Sequence, residues 1–286
     1  MKLVHGSDME YTSSGLKHRP GAPLFKYLLL GEEDSPSNFF LMLARQEAFY
    51  SPRHHHNFEQ FRFAYKGDIT LGEGDDWILR EGEVAYFPEG SWYGPQNDGD
   101  AVKEVLVLQF GGPSGQGYLS YAQLKSVQEE MNVKGIGRFE GGKFIPKEDP
   151  SKAVDGYEGL WEYKNGRKLE YPVARYRQPL LMNTTAFRWQ KIDESEAPGT
   201  VEVKPLGVFS DGSVAANFFR LRDASMKLHP KKAIQLLFVF AGTGKIDDQG
   251  LREQSAVQLS PGEEAQLSAQ GTQLEVLHFA LPTFPS

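Results

Sequence analysis

The stretch "YSPRHHHNFEQFRFAYKG", residues 50–67, sets three of the chain's seven histidines side by side. In an extended strand successive side chains alternate between faces, so residues 54, 56, 60 and 62 share one face while His55 and Glu59 belong to the other. The triplet therefore reads as a His54-x-His56 pair with a bystander between its members. Gln60 and Arg62 follow on the same face.

The pattern returns once along the chain. At a constant offset of 175 residues, Arg45 meets Arg220, His54 meets His229, Gln60 meets Gln235 and Gly67 meets Gly242. A fixed offset of this kind is the mark of an internal duplication. Around both copies the chain runs as short β-rich segments closed by Gly, Pro, Asn and Asp, among them "KEVLVLQF", "AIQLLFVFAGTGKI" and "TQLEVLHFALP". Many short strands with regular turn signals favour a barrel or sandwich. One segment departs from this: "SYAQLKSVQEEMNV" carries Tyr121, Leu124, Val127 and Met131 at helical spacing, and Ser120 with Gln123 forms a capping box. The fold expected is all-β, with barrels over residues 1–112 and 201–286 and one short helix in a connection over 113–200. The aromatic runs "GYEGLWEYKNGRK" and "YPVARYRQP" of that connection are suited to covering a barrel mouth or to bridging the two barrels.

The spacing is specific enough to carry a resemblance. His54-x-His56, three residues, Gln60, six residues and Gly67 form one motif; Gly82, five residues, Pro88-x-Gly90, two residues, Tyr93, three residues and Asn97 form a second. Together they resemble the paired motifs of the cupin superfamily, and the duplication resembles the bicupins. The resemblance implies two double-stranded β-helix barrels, each with a pocket in its mouth. It also implies one divalent first-row metal ion, Fe(II) foremost and Zn, Mn or Ni as alternatives, with His54, His56, Gln60 and Tyr93 in the ligand positions.

Two of those positions depart from the usual pattern of His, His, Glu and His. Gln60 stands where the acid is expected and Tyr93 where the last histidine is expected. A neutral amide holds a divalent ion more weakly than a carboxylate, so a metal-free polar pocket stays open as an alternative. Glu59 could replace Gln60 as ligand only if a bulge re-aimed it, since strand parity turns it away. Arg62, one step further inward, requires an anion: either an internal carboxylate or an acidic substrate. In "SWYGPQN", residues 91–97, Trp92 and Gln96 join Arg62 as candidate substrate contacts, although the same residues also suit a packed turn.

In the second copy Lys231 stands where His56 would be, and an ammonium repels the cation that His56 would bind. That half is expected to be a structural or dimerising barrel, with His229, Lys231, Gln235 and His278 able to line an anion pocket. The chain has no cysteine, which excludes disulfides and thiolate chemistry. Its formal charge of −7 argues against nucleic acid as a partner. The N-terminus lacks the apolar core of a signal peptide and no apolar run is long enough to span a bilayer, so a cytoplasmic location away from membranes is expected. An exposed sheet edge is compatible with a homodimer.

The function expected first is metal-dependent, dioxygenase-type oxidation of an aromatic or oxygenated small molecule. The alternatives are a metal-free binding or regulatory bicupin, and a metal-free isomerase or epimerase using His54 or Tyr93 as acid or base.

Overall fold

The computed structural model describes residues 1–18, 23–192, 199–209, 214–269 and 271–283. It is mostly β, and its contacts divide it into two compact units: Tyr11–Lys26 with Leu30–Leu181, and Met1–Glu10 with Tyr27–Leu29 and Met182–Ser286. Among the described residues no helix is long and apolar enough to cross a membrane.

The first unit is organised by the strand Lys103–Gly111, whose sequence "KEVLVLQFG" is buried from Val105 onward. It pairs antiparallel with Phe39–Gln46 on one side and with Phe58–Lys66 on the other, and Val84–Phe87 extends the sheet beyond Phe58–Lys66. Burial on both faces explains why these strands are apolar runs rather than simple alternations. The register sets up rows across the inner face. Arg62 lies opposite Val107, which lies opposite Met42; Gln60 lies opposite Gln109, which lies opposite Phe40. The facing wall consists of two separate strand pairs, Tyr50–Ser51 with Gln96–Asn97 and Ile69–Thr70 with Ile78–Leu79.

The second unit repeats this order. Ser255–Leu259, Gln235–Gly242, Gln273–Ala280 and Val214–Arg222 are neighbours in the same sequence as their counterparts. Its facing wall is instead one continuous four-stranded sheet of Ser225–Leu228, Ala265–Ser268, Gly244–Ile246 and Gln249–Leu251. Between the two sheets Met226, Leu228, Leu237, Val257, Leu267 and Val276 belong to one buried apolar cluster. The barrel is filled by its own side chains.

Among its described residues the connection holds two α-helices rather than one. Tyr121–Lys134 forms where expected, with both hydrogen bonds of the Ser120–Gln123 capping box made. Gly156–Asn165 is capped by Asp155, which accepts from the N–H of Tyr157 and of Glu158, and it ends at Gly166 in the left-handed region. Gly156 and Gly159 lower its intrinsic helix propensity, which hid it in the sequence. Packing explains both: a Cβ at Gly159 would lie 2.7 Å from Phe144, and one at Gly156 would lie 2.7 Å from the His18 backbone.

The structure does not divide at residues 112 and 200. The helices and the three-stranded sheet of the connection belong to the first unit, and the short strand Leu180–Met182 adds to the edge of its sheet. Conversely Lys2–His5 pairs with Ser255–Leu259 in the second unit. The reason is edge pairing, because each strand supplies backbone partners to an edge that would otherwise stay open. Further ties hold the N-terminus there: Gly6 N–H donates to Gln254 O at 2.8 Å, and Arg252 binds Ser7 and Asp8. Deleting residues 1–8 is expected to destabilise the second unit by about 2 kcal/mol or more and to promote association through the bared edge. Urea unfolding and light scattering of the truncated protein check this.

Candidate functional site

Tyr93 is seated by a reciprocal backbone pair. The N–H of His54 donates to Tyr93 O at 3.0 Å and that of Tyr93 donates to His54 O at 3.1 Å, joining the two sequence motifs. The N–H of Gly90 donates to His56 O at 2.6 Å, with Gly90 at φ 76°. A side chain there would meet Pro172 O at 2.1 Å, so both the turn and the close approach require glycine.

The Tyr93 hydroxyl then becomes a hub. It accepts from Arg62 Nη2 at 2.8 Å and from Gln60 Nε2 at 3.1 Å, and it lies 3.0 Å from His56 Nε2. With both acceptor positions filled, the phenol proton is left to His56. Gln60 Oε1 accepts from Arg62 Nε at 3.3 Å, and Gln96 Oε1 accepts from Arg62 Nη1 at 3.0 Å. Gln96 in turn donates to Gln46 at 3.2 Å and to Asp98 at 2.5 Å. Asp98 is the nearest acid along this chain, and it already serves Thr70 and lies 3.5 Å from Lys103 Nζ. His54 completes the group: its Nδ1–H donates to Pro52 O at 2.6 Å, and its ring meets that of His56 edge to face at 4.8 Å.

These residues line a cavity of about 90 Å³ inside the first barrel. His54, His56, Arg62, Tyr93 and Gln96 reach it directly. Gln60, only 1% exposed, stands behind them and braces Tyr93 and Arg62. Trp92 is not brought to the cavity. It is 45% exposed and stacks on His55 at 3.9 Å, and Tyr171 stacks on His55 at 3.7 Å. Strand parity explains this exterior group, since His55 and Trp92 adjoin the inward residues His56 and Tyr93. Glu59 also lies on the outer face, where its charge and hydrogen bond, after burial itself, push the Tyr86 phenol pKa up. The cavity has contributors that sequence reasoning missed: His18 from the N-terminal segment, Gln46 and Gln109 from the sheet, and Tyr157 from the second helix. Tyr121 and Leu124 belong to the apolar helical stripe that the sequence displayed, but which surface that stripe would cover was not legible.

The donor set does not fit a divalent ion. Among the described residues no cluster of three His or carboxylate side chains is placed to hold one. Of the four expected ligands, Gln60 Oε1 is taken by Arg62 and the Tyr93 hydroxyl is shared by Arg62, Gln60 and His56. Among the described residues the hydrogen-bond partners of the guanidinium are all neutral. A doubly charged ion bound at Tyr93 would stand roughly 4–5 Å from Arg62, a repulsion of about 7 kcal/mol at an effective dielectric of about 20. Gln60 and Tyr93 thus both serve as hydrogen-bond partners of Arg62.

In the second barrel Lys231 lines an open surface depression with Pro230, Lys232, Pro261 and Gly262. His278 Nε2 lies 3.1 Å from Gln235 Oε1, and both are buried against the apolar filling. Gln235 Nε2 donates to His229 O at 3.0 Å.

The comparisons with known proteins agree with this architecture. Residues 40–109 match the family model described as "Cupin domain". Solved structures with the same fold include a protein from Nostoc punctiforme provisionally named a dioxygenase, with 12% identity and a TM-score of 0.60, covering 100% of this chain and 87% of that one. YlbA from E. coli is similar at 10% identity and a TM-score of 0.55, over 99% and 92% of the two chains. Oxalate decarboxylase from Bacillus subtilis, described with Mn(II) centres, is similar at 12% identity and a TM-score of 0.52, over 100% and 78%. No curated protein matches by sequence. At these identities the similarity establishes the fold alone.

Two expectations follow from the geometry. Tyr93→Phe leaves the acceptor role of the hydroxyl toward buried Gln60 and half-buried Arg62 unfilled and is expected to cost about 1–3 kcal/mol in chemical denaturation, with the loss concentrated in the first barrel. Burial, with Lys231 adding repulsion, pushes the His278 pKa from 6.5 down to about 3. A histidine held neutral in the folded state contributes stability that is complete above its unfolded pKa and is lost as pH falls. The protein should therefore lose about 1.4 kcal/mol per pH unit on acidification from 6.5 towards 3 on account of this residue. Stability curves of wild type and His278→Gln test this, since the variant lacks that component.

Proposed function

We propose that the first barrel binds a small organic anion without a metal, using Arg62 as the charge partner. The observation that carries this reading is the company Arg62 keeps. It is the one permanently charged side chain among the described residues lining the cavity, and its three hydrogen bonds go to Gln60, Tyr93 and Gln96, all neutral. A half-buried guanidinium without a carboxylate carries a desolvation cost that an incoming anion offsets. The aromatic faces of Phe87 and Tyr93, each 4.9 Å from the guanidinium carbon, stabilise the cation without neutralising it. Arg62 has five N–H donors, of which these bonds use three, so two are left for a ligand.

Beside the bound anion stands a proton-exchanging pair. Tyr93 and His56 share a hydrogen bond of 3.0 Å, and both reach the cavity. They could transfer a proton to or from a ligand held by Arg62, which is the acid–base equipment of a metal-free isomerase. The oxalate decarboxylase among the structural neighbours is named for a small carboxylate, in keeping with an anionic ligand.

A metal-dependent dioxygenase is the second reading. Its support is the His54 and His56 pair, both reaching the cavity with rings 4.8 Å apart. Elemental analysis of protein purified without chelators separates the readings. The anion reading expects far less than one metal ion per chain. Near-stoichiometric Fe, Mn, Zn or Ni that disappears in His54→Ala/His56→Ala would favour the metal. For the anion itself, a ligand-observed NMR titration with acetate and butyrate is expected to detect binding that Arg62→Met weakens by about tenfold or more. Affinity unchanged in Arg62→Met, with the fold intact by circular dichroism, would sink the anion reading.

A further inference from the structure

The cavity has two chemically different sides. Across the inner face of the sheet, the row that starts at Arg62 passes to Val107 and then to Met42, and the adjoining row passes from Ala64 to Val105 and Ala44. The one permanent charge of the lining, Arg62, lies on the side formed by Phe58–Lys66 and the segment carrying Tyr93 and Gln96, while Gln46, Gln109, His18 and Tyr157 add neutral polar groups elsewhere. On the opposite side the first helix lays Tyr121 against Phe25 and Phe40, at ring distances of 5.3 and 5.2 Å, and Leu124 and Leu119 complete an apolar surface that reaches the cavity. We infer that the occupant is a short monocarboxylate with an apolar tail, its carboxylate on Arg62 and its tail between Val107, Met42 and the helix.

The inference rests on the anion reading of the same cavity and narrows it. A second carboxylate would find no lysine or arginine other than Arg62 among the described residues lining the cavity, and much of the lining beside Val107, Met42 and Leu124 is apolar. His18, with its ring 6.2 Å from that of Tyr121 and 6.5 Å from that of Tyr157, is the one titratable group brought in from the N-terminal segment. Volume sets the length of the tail. A cavity of about 90 Å³ falls short of the roughly 150 Å³ that takes benzene. A carboxylate with a short aliphatic tail suits that space better than an aromatic acid.

The test is an NMR or calorimetric titration of the full-length protein with butyrate, isobutyrate, malonate and succinate, repeated on three variants. Butyrate or isobutyrate is expected to bind about tenfold or more tightly than either dicarboxylate, in a manner that depends on Arg62. Leu124→Lys should invert that preference by placing a cation at the apolar end. If that variant fails to fold, the isosteric Val107→Thr serves instead: its added hydroxyl should weaken butyrate severalfold while leaving acetate within about twofold. Dicarboxylates binding as tightly as butyrate, with the affinity lost in Arg62→Met, would overturn the monocarboxylate inference and leave the anion reading standing. Absence of Arg62-dependent binding by all of these acids would overturn both. Butyrate affinity unaffected by both Leu124→Lys and Val107→Thr would overturn the placement of the tail.

Discussion

The Tyr93 hydroxyl meets Arg62, Gln60 and His56 at once, and a phenol has one donor and two acceptor positions to give. Because all are used, the orientation of each partner is specified: the Gln60 amide is turned so that its oxygen receives Arg62 Nε, and the His56 ring presents Nε2 to the phenol proton. The backbone pair between His54 and Tyr93 holds that hydroxyl in place. In a low-dielectric interior such a network is strong when complete and costly when broken. The position of the guanidinium, and hence the charge of the cavity, follows from it.

The two halves share strand order but not interior. In the second barrel a continuous facing sheet and an apolar cluster including Met226, Leu228 and Leu267 close the space. In the first, the facing wall is two separate strand pairs, and the inward positions at the corresponding level carry Arg62, Gln96 and Tyr93 rather than aliphatic groups. Polar side chains that must satisfy one another cannot collapse as aliphatic ones do, so space remains between them and the apolar rows beside Val107. The two halves share one strand order, and the identity of a few inward residues separates a packed core from one that leaves a cavity.

Much of this was legible in the chain itself. Strand parity assigned His54, His56, Gln60 and Arg62 to one face and His55 and Glu59 to the other, and the structure has that arrangement. Parity failed to show that Gln60 sits behind the cavity as a brace, because alternation reports a face and not a depth. Trp92 was misjudged for a related reason: its amphipathic character suits a pocket, but its neighbour Tyr93 takes the inward position and leaves it outside on His55. The second helix was hidden by Gly156 and Gly159, whose cost in propensity is outweighed by the close contacts that they permit. His18 carried no signal, since nothing local to residue 18 relates it to strands that lie far along the chain.

What the sequence determined by itself is the duplicated β architecture and the inward set of the first barrel, because both depend on short-range rules: a period of two along a strand, turn residues at fixed spacing and a constant offset between copies. What only the tertiary structure decided is the charge state and shape of the site. Whether Arg62 is neutralised by a carboxylate depends on which side chains converge on it from Gln60, Tyr93 and Gln96, and the apolar end of the cavity depends on where the Tyr121–Lys134 helix comes to rest. Both are relations between residues distant in the chain, fixed by packing and hydrogen-bond satisfaction rather than by any local pattern.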